Sequence, residues 1–294
     1  MQDIVIECKD LAYSYGDRLI YENLSFKVPQ GSILGLLGKN GTGKTTTINL
    51  LNGYLKPYQG ECLLFGEDAR SLSVTTRRKV ALLLEGHIQY SYMNIRQIER
   101  FYAPFYPEWD ASIYYELMGK MSIKPTQKIC KMSCGQRSQV ALGLILAQNA
   151  DLFILDDFSL GLDPGYRQLF IDYLYDYVKA ESKTVFVTSH IIQDMEKFID
   201  DCIILDYGRI LLQSSVRDLL DTFHKYEFGS NNDLLLRHPH LLHAENRKGR
   251  TSLYSFLTYE EVENILKVSG VEHTDLRCRK LSLEEAFIGL TGKY

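Results

Sequence analysis

The stretch SILGLLGKNGTGKTT, residues 32–46, joins a short apolar run to a glycine-rich loop. The run SILGLL has the length and hydrophobicity of a buried strand. The residues after the loop, TTTINLLNGYL, follow a helical pattern. The loop itself fits G-x-x-x-x-G-K-[ST], a pattern whose backbone N–H groups and lysine surround phosphate groups. A strand, this loop and a helix in succession therefore predict a phosphate-binding loop.

The candidate nucleotide-binding residues of this loop are either glycines or residues with a polar side chain. They are Gly38, Asn40, Gly41, Gly43, Lys44, Thr45 and Thr46. The glycines let the backbone approach phosphate closely, and the helix that follows adds a positive field at its N-terminus. Lys44 is expected to reach the terminal phosphates and Thr45 to ligate Mg²⁺. The alternatives are a glycine turn before an unrelated helix and a dinucleotide-binding loop. The missing third glycine disfavours the latter.

A second informative stretch is ILDDFSLGLDP, residues 154–164, in which two aspartates follow an apolar run. In phosphate-loop proteins an aspartate at the end of such a strand holds Mg²⁺. Alone, Asp156 would be weak support, because aspartates often end strands. Together with Lys44 and Thr45 it predicts a metal-dependent nucleotide site.

The rest of the chain alternates strand and helix patterns. IVIECKDLAYSY and LIYENLSFKVPQG are predicted strands separated by a turn at Gly16 and Asp17, and GECLLFG is a further hairpin strand. VALLLEG, LFILD, TVFVTSH and CIILDYGRILL alternate with helical stretches, which favours an α/β fold with a mainly parallel sheet. Helical spacing dominates from about residue 88 to 150. Beyond about residue 222 the sequence becomes more polar and predicts a small α+β appendage.

The stretch MSCGQRSQVALGLILAQNADLFILDDFSLGLDP resembles ATP-binding cassette (ABC) ATPases, whose signature motif usually reads LSGGQ. Ser133, Gly135 and Gln136 match that signature, and SLGLD, ending at Asp163, resembles the D-loop of the family. By this resemblance Ser133, Gly135 and the helix dipole face a γ-phosphate across a dimer interface. Ser133 also reads simply as a helix N-cap.

Two further residues extend the resemblance. His190, in VFVTSH, resembles the switch histidine that senses phosphate and the attacking water, although a core histidine is the alternative. Tyr15 resembles the aromatic residue that stacks on adenine, and with 20 tyrosines in the chain a core role is its alternative. The resemblance implies a RecA-like parallel core, an antiparallel β subdomain and a helical subdomain at about residues 88–150. The cassette is expected to span residues 1–221, with an accessory domain at 222–294.

The sequence departs from the family pattern at three places. Asp157 and Phe158 stand where relatives have Glu and Pro, and Asp reaches about 1.5 Å less far than Glu. Because a catalytic group displaced by about 1 Å can lose on the order of 100-fold in rate, slow hydrolysis is expected. Glu85 stands where relatives carry a metal- and water-contacting Gln, with Gln89 as an alternative. Cys134 replaces the first glycine of the signature.

Composition limits the classes of ligand, partner and cellular location that we expect for this protein. A net charge of −4 does not predict a nucleic-acid partner, since such partners usually need a basic domain. The six cysteines form no CxxC pair, so reduced thiols rather than zinc are expected. The N-terminus MQDIVIECKD lacks the features of a secretion signal, and no run of about 18 apolar residues occurs. These features favour the cytoplasm, and the ABC resemblance implies a position on the inner face of the membrane, with another chain spanning the bilayer.

Two functions fit this sequence. FYAPFYPEWD and the C-terminal LSLEEAFIGLTG resemble segments of ABC-2 type exporter ATPases. This resemblance implies the ATPase subunit of such an exporter, paired with another ABC ATPase subunit as a homodimer or heterodimer and with a separate membrane permease. The alternative is a soluble ABC-type ATP switch with a regulatory role. For an exporter subunit, the segment at about residues 87–94 would transmit motion. Tyr90 and Tyr92 would then fill a groove on a partner helix, unless they pack within the helical region.

Overall fold

The computed structural model describes residues 3–84, 90–120, 122–159, 162, 164–230 and 238–292. Two compact units divide the chain: Met1–His190 with Leu205–Ile210, and Ile191–Ile204 with Leu211–Tyr294. This division groups residues 191–204 with the C-terminal residues. The functional boundary between residues 221 and 222 stays a prediction, because compactness alone does not define a functional domain.

The first unit contains strands and helices in alternation, as the sequence predicts. Its strands are β1 (Ile4–Tyr15), β2 (Arg18–Pro29), β3 (Ile33–Gly38), β4 (Gln59–Leu64), β5 (Glu67–Asp68), β6 (Val80–Leu83), β7 (Leu152–Asp156) and β8 (Thr184–Ser189). Its helices are α1 (Lys44–Leu51), α2 (Val74–Arg78), α3 (Ile95–Tyr102), α4 (Ala111–Lys120), α5 (Cys134–Ala147) and α6 (Pro164–Ala180). Short 3₁₀ turns at Ala103–Phe105 and Ile129–Lys131 flank α3 and α5.

A sheet in which β3, β8, β7 and β6 lie in that order forms the centre of this unit, and the strands β9 (Asp201–Asp206) and β10 (Arg209–Ser215) are each divided between the two units. Only residues 205–210 of β9 and β10 belong to this unit. The pairs β3–β8, β8–β7 and β7–β6 are parallel. Every residue of β3, β7 and β8 is buried, as expected for strands covered on both faces. Their carboxyl ends therefore lie side by side at one edge of the sheet.

An antiparallel sheet in the order β2-β1-β4-β5 forms the predicted β subdomain. Strands β1 and β2 pair from Ile4 with Pro29 to Tyr15 with Arg18, and a turn at Gly16 and Asp17 connects them as predicted. Within this pairing Tyr13 lies opposite Tyr21. The first residue of β2, Arg18, contacts Gly41, so this end of β2 lies next to the predicted phosphate-binding loop.

The region predicted as helical contains α3, α4 and α5. Helix α3 begins with a capping box in which the Asn94 side chain accepts from Gln97 N and the Gln97 side chain accepts from Asn94 N. Helices α4 and α5 pack closely, since a Cβ atom on Gly143 would meet the ring of Tyr114. The buried hydroxyl of Tyr114 donates to the Ile95 carbonyl oxygen over 3.1 Å. These contacts connect the helix that follows the signature to its neighbours.

The second unit is α+β, which confirms the fold class predicted for the C-terminal region. Its helices are α7 (Ile192–Met195), α8 (Val216–Thr222), α9 (Tyr259–Val268) and α10 (Leu283–Thr291), and its strands are β11 (His224–Gly229), β12 (Leu242–Arg247), β13 (Arg250–Ser255) and β14 (Thr274–Lys280). The strands form an antiparallel sheet in the order β12-β13-β11-β14. Its apolar core is Tyr226, Phe228, Leu241, Leu253, Val262, Leu266 and Val271.

Helices α7 and α10 are joined by side chains within this unit. Glu196, just after α7, accepts a hydrogen bond of 2.7 Å from the backbone N–H of Leu283, the first residue of α10. Gln193 donates to Glu284 over 2.6 Å. The helix that directly follows His190 in sequence is therefore fixed to the last helix of the chain. Among the described residues, no helix combines the length and hydrophobicity needed to cross a membrane.

Candidate nucleotide-binding site

The predicted phosphate-binding loop joins the buried end of β3 to the start of α1. Gly41 and Gly43 have φ values of 80° and 106°, in the left-handed region that favours glycine. Lys44, the first residue of α1, is buried, and its Nζ atom donates to the carbonyl oxygens of Gly38 and Lys39 over 2.8 and 3.2 Å. The lysine amine therefore lies inside the curve of the loop, where a phosphate group can replace the carbonyl partners.

The other predicted loop residues surround this lysine. Gly38 has no room for a side chain, because a Cβ atom there would meet the Thr42 hydroxyl and the backbone of Leu205. The Gly41 carbonyl oxygen accepts from Arg18 over 3.2 Å. Asn40 and Thr45 are exposed, and Thr46 is buried. The loop thus presents polar groups outward and rests on a packed interior.

The carboxylate of Asp156 lies next to this loop at the end of β7. Its Oδ1 atom accepts a hydrogen bond of 2.6 Å from the Thr188 hydroxyl, and Thr45 also hydrogen-bonds to the carboxylate. Burial raises the pKa of Asp156 above its usual value, with the charge of Asp157 acting in the same direction, while the hydrogen bonds and Lys44 oppose this. The structure thus brings Lys44, Thr45 and Asp156 together, as the sequence predicted.

These atoms are suited to a magnesium ion. Mg²⁺ prefers oxygen ligands and is commonly held by one or two protein side chains together with substrate phosphates. Thr45 and Asp156 offer a hydroxyl and a carboxylate in hydrogen-bond contact with each other. Within the described ranges, no group of three or more His, Cys, Asp or Glu side chains is placed to hold a metal ion.

Asp157 and His190 are also brought together. Oδ1 of Asp157 lies 2.7 Å from Nδ1 of His190 and accepts from the His190 backbone N–H over 2.9 Å. The Asp157 backbone has φ of 42°, an uncommon conformation for a residue other than glycine, although Asp adopts it more readily than most. Its N–H donates to the Thr188 carbonyl oxygen over 3.1 Å. The alternative of a core histidine is wrong, since 37% of the His190 side chain is exposed.

The predicted signature residues lie at the start of α5. Ser133 is its N-cap and forms a capping box with Gln136: the Ser133 hydroxyl accepts from Gln136 N, and the Gln136 side chain accepts from Ser133 N. Ser133 is exposed, and among the described residues a Cβ atom on Gly135 would meet only Leu162 and the Ser133 hydroxyl, at 3.6 Å or more. Among the residues that the structure describes, no contact shorter than 3.6 Å therefore selects glycine at position 135.

Tyr15, the predicted adenine-stacking residue, lies at the end of β1 with 48% of its surface exposed. Its ring contacts Tyr13 edge-on, with 5.0 Å between centroids. The alternative of a core residue is therefore wrong, whereas stacking on a base stays a prediction. Glu85, its alternative Gln89, and Asp163 lie outside the described residues, so their predicted roles also stay predictions.

Phe158 follows the acidic pair and points into the protein. It is 4% exposed and stacks on Phe170 of α6, with ring centroids 5.2 Å apart. This contact explains how a large ring fits directly after the two aspartates. Cys134, which replaces the first glycine of the signature, is exposed at the first turn of α5.

Sequence reasoning missed three residues that shape the site. Thr188 hydrogen-bonds to Asp156, Arg18 contacts Gly41, and the hydroxyl of Tyr21 donates to the Gly43 carbonyl oxygen. Thr188 could have been found, because it ends the strand that precedes His190. Arg18 and Tyr21 lie on β2, in the antiparallel sheet, whereas their partners lie in the loop after β3, more than 20 positions later in the chain. Local sequence patterns therefore carry no signal for these contacts.

Comparisons with known proteins agree with this geometry. Residues 21–159 match the family model described as ABC transporter. The bacitracin transport ATP-binding protein BcrA of Bacillus licheniformis is 28% identical over 299 residues, covering 98% of this chain and 97% of that protein. The Nod factor export ATP-binding protein I of Cupriavidus metallidurans is 25% identical over 301 residues, covering 98% of each chain.

A solved structure described as an ATP binding subunit of an ABC transporter matches with a TM-score of 0.66 and 25% identity, covering 74% of this chain and 92% of that one. Fold, loop geometry and family match therefore define the class: residues 21–159 belong to the ATPase domain of the ABC transporter family. Over nearly its whole length the chain is similar to the ATP-binding subunits named above.

Proposed function

We propose that this protein is the ATP-hydrolysing subunit of an ABC exporter, which dimerises around ATP and drives a separate membrane subunit. The observation that carries the proposal is the convergence of Lys44, Asp156 and the Asp157–His190 pair at the carboxyl edge of one sheet. This edge is where open α/β sheets bind their ligands. The relatives named for bacitracin transport and Nod factor export support transport as the work performed.

In this proposal the loop residues hold the triphosphate. The backbone N–H groups of Gly38–Thr46 and the Lys44 amine bind the β- and γ-phosphates, and Tyr15 stacks on the adenine. Thr45 and Asp156 hold Mg²⁺, which when bound neutralises phosphate charge. Glu85 is proposed as a further contact to metal or water. The burial of Asp156 keeps its carboxylate poorly hydrated, which favours interaction with a cation.

The signature residues supply the other half of the site in a second subunit. Ser133 and Gly135 lie at an exposed helix start, and the nearest described atom to a Cβ on Gly135 is 3.6 Å away. A helix N-terminus that exposes backbone N–H groups attracts phosphate. Gln136, and Asp163 in the D-loop, would complete this surface. ATP then binds better to the closed pair than to separated subunits, which is the requirement for a ligand-driven switch.

Hydrolysis is proposed to depend on Asp157 and His190. Both side chains are polar and partly accessible, and their hydrogen bond fixes the ring of His190 relative to the end of β7. A carboxylate and an imidazole can each accept a proton from a water molecule. Because the Asp157 oxygen is held by His190 and reaches less far than a Glu oxygen, we propose that turnover is slow. Slow turnover is compatible with two slowed sites in a homodimer and with one weakened site in a heterodimer.

An aromatic patch, defined as Tyr90, Tyr92, Phe101 and Phe105, is the proposed contact for the membrane subunit. Between 39% and 67% of each of these residues is exposed. Their rings contact each other in a chain, with 5.0 Å between Tyr90 and Phe101 and 5.8 Å between Phe101 and Phe105. The rings of the aromatic patch pack against each other within the helical region and still present apolar surface. The same residues could therefore also fill a groove on a partner helix. A surface of this kind is typical of protein contacts.

A cavity of about 480 Å³ adjoins the aromatic patch through Phe105 and Tyr102. Apolar side chains of α5 and β6, among them Leu83, Ala141 and Leu144, line it together with Arg77 and Arg78. Its size and mixed lining suit a short helix of a partner chain. This arrangement supports a location at the inner face of a membrane, where the partner would reach the cytoplasm.

The most direct test is co-purification of the tagged full chain with the membrane protein encoded beside it. We expect a stable complex whose ATPase rate responds to reconstitution in lipid. A chain that binds ATP and dimerises but never retains a membrane partner would contradict the transport role and favour the regulatory switch. A chain that does not bind ATP would contradict the whole proposal.

A further inference from the structure

The phosphate-binding loop rests on a buried tyrosine from a different sheet. Tyr21 lies on β2 with 0% of its surface exposed. Its hydroxyl donates to the carbonyl oxygen of Gly43 and lies 2.6 Å from the Thr47 hydroxyl. Burial raises the pKa of Tyr21 well above its usual value, so the hydroxyl keeps its proton. Nothing in the motif pattern assigns a role to this residue.

The carbonyl that Tyr21 contacts belongs to the peptide that opens helix α1. Gly43 is the N-cap of α1, and its oxygen also accepts from Thr47 N over 2.8 Å and from the Thr47 hydroxyl over 3.2 Å. In a planar trans peptide the C=O of one residue and the N–H of the next point in opposite directions. A Gly43 oxygen held toward Tyr21 therefore turns the Lys44 N–H away from it, toward the inside of the loop.

The same tyrosine limits what can stand at position 43. A Cβ atom on Gly43 would collide with the Tyr21 ring and with Ile20. The φ of 106° is also strained for any residue with a side chain. Packing and backbone conformation thus select glycine independently, and the Tyr21 ring fills the space that a side chain would need.

We infer that Tyr21 is a positioning residue for nucleotide binding: it orients the Gly43–Lys44 peptide so that its N–H faces the phosphates. The inference rests on the proposed ATP site. The hydroxyl does not touch the nucleotide itself. It reduces the number of loop conformations before ATP arrives, and such preorganisation increases affinity.

The test compares two conservative variants of the full chain, Tyr21→Phe and Tyr114→Phe. Each removes one hydroxyl from a fully buried tyrosine that donates to a backbone carbonyl. Tyr114 contacts Ile95 in the helical region and serves as the matched control. The Gly43 oxygen retains its bonds from Thr47 in Tyr21→Phe, so this variant is expected to fold.

ATP affinity is measured by calorimetry with EDTA present, and amide hydrogen exchange of residues 41–47 is measured without ligand. We expect Tyr21→Phe to weaken ATP binding about five-fold, the effect of one buried hydrogen bond, and to speed exchange in the loop. Tyr114→Phe should change neither. In the hydrolysis assay, KM for ATP should rise in Tyr21→Phe while kcat stays close to that of the wild type.

Equal ATP affinity and equal loop exchange in the wild type and Tyr21→Phe would overturn the inference. A lower melting temperature of Tyr21→Phe with both of these unchanged would also overturn it, because Tyr21 would then be only a core residue. If the wild type does not bind ATP, the proposed function fails, and the exchange comparison still decides whether Tyr21 orders the loop.

Discussion

The Nδ1 atom of His190 lies 2.7 Å from the same Asp157 oxygen that accepts the backbone N–H of His190. One carboxylate oxygen thus fixes both the ring and the main chain of the histidine. This oxygen cannot extend freely toward a water molecule on the nucleotide side. The short side chain at position 157 therefore has a structural partner, and lengthening it should change the chemistry.

The first prediction concerns Asp157→Glu. Its extra methylene lets the carboxylate reach about 1.5 Å further, so we expect kcat for ATP to rise about ten-fold or more. Glu is less suited to the φ of 42°, so stability should fall by about 1 kcal/mol. Steady-state phosphate release and thermal unfolding measure the two effects.

The control for this variant is Asp157→Asn. Asn tolerates the left-handed conformation, so the fold should persist while turnover is nearly abolished. If Asp157→Glu hydrolyses ATP no faster than the wild type, the shortened carboxylate is not what limits the rate.

The second prediction concerns pH and Asp156. Burial raises the pKa of this carboxyl, so its ionised form costs stability in the folded state. That cost is absent below about pH 3.9, the ordinary pKa of Asp, and grows as the pH rises through the folded pKa. Asp156→Asn should therefore melt at a higher temperature than the wild type at pH 7, and the difference should shrink toward pH 3.

Asn still offers an oxygen to the Thr188 hydroxyl, so the hydrogen bond at this position is preserved in the variant. Hydrolysis should be lost at the same time, since the charge on the carboxylate is removed. An Asp156→Asn protein that melts below the wild type at pH 7 would show that burial of the ionised Asp156 carboxylate does not lower the stability of the folded protein.

The third prediction separates folding from dimerisation at Gly135. The nearest described atom to a Cβ there is 3.6 Å away, so Gly135→Ala should fold normally and stabilise α5 by about 0.5 kcal/mol. The same methyl should weaken ATP-dependent dimerisation at least ten-fold, because it would occupy the space proposed for a partner's phosphate. Size-exclusion chromatography of the Asp157→Asn protein with ATP measures the dimer.

Gly119→Ala is the matched control. Gly119 lies in helix α4, and a Cβ atom there meets no atom of the described part of the chain within 4 Å. It should stabilise the protein similarly and leave dimerisation unchanged. Equal dimerisation in both alanine variants would contradict the proposed role of Gly135.

The fourth prediction concerns the aromatic patch. Tyr90 and Tyr92 are 41% and 67% exposed, so replacing both by Ala should change the melting temperature little. Transport by the reconstituted complex should fall at least ten-fold, while the ATPase rate of the isolated subunit is kept. The double Phe variant retains both rings and should transport normally. Unfolding of the double Ala variant would indicate that the two rings mainly stabilise the folded core.

The fifth prediction tests the link between α7 and α10. Glu196 accepts the N–H of Leu283 at the start of α10, so Glu196→Ala should lower the free energy of unfolding by about 1 kcal/mol. Glu196→Gln keeps an acceptor oxygen and should lose less. Chemical denaturation measures both variants, and identical losses would show that the hydrogen bond contributes no stability.

Much of the site could be predicted because its chemistry is carried by short segments. The loop at residues 38–46 determines its own backbone shape through Gly41 and Gly43, and Asp156 directly ends a strand whose hydrophobic run is evident. The strands β1 to β4 and the helices α9 and α10 also agree with their local patterns. By contrast, CIILDYGRILL forms two strands separated by a turn at Tyr207 and Gly208, which an apolar run does not reveal.

By itself, the sequence determined the parallel α/β class and the residues of the loop that is proposed to bind phosphate, because strand and helix periods and a fixed glycine spacing are local properties. Only the tertiary structure decided that Tyr21 supports the loop and that Asp157 is bound to His190. These contacts join residues 22 and 33 positions apart. They depend on strand register and on the order of strands in a sheet, which packing of the whole unit sets.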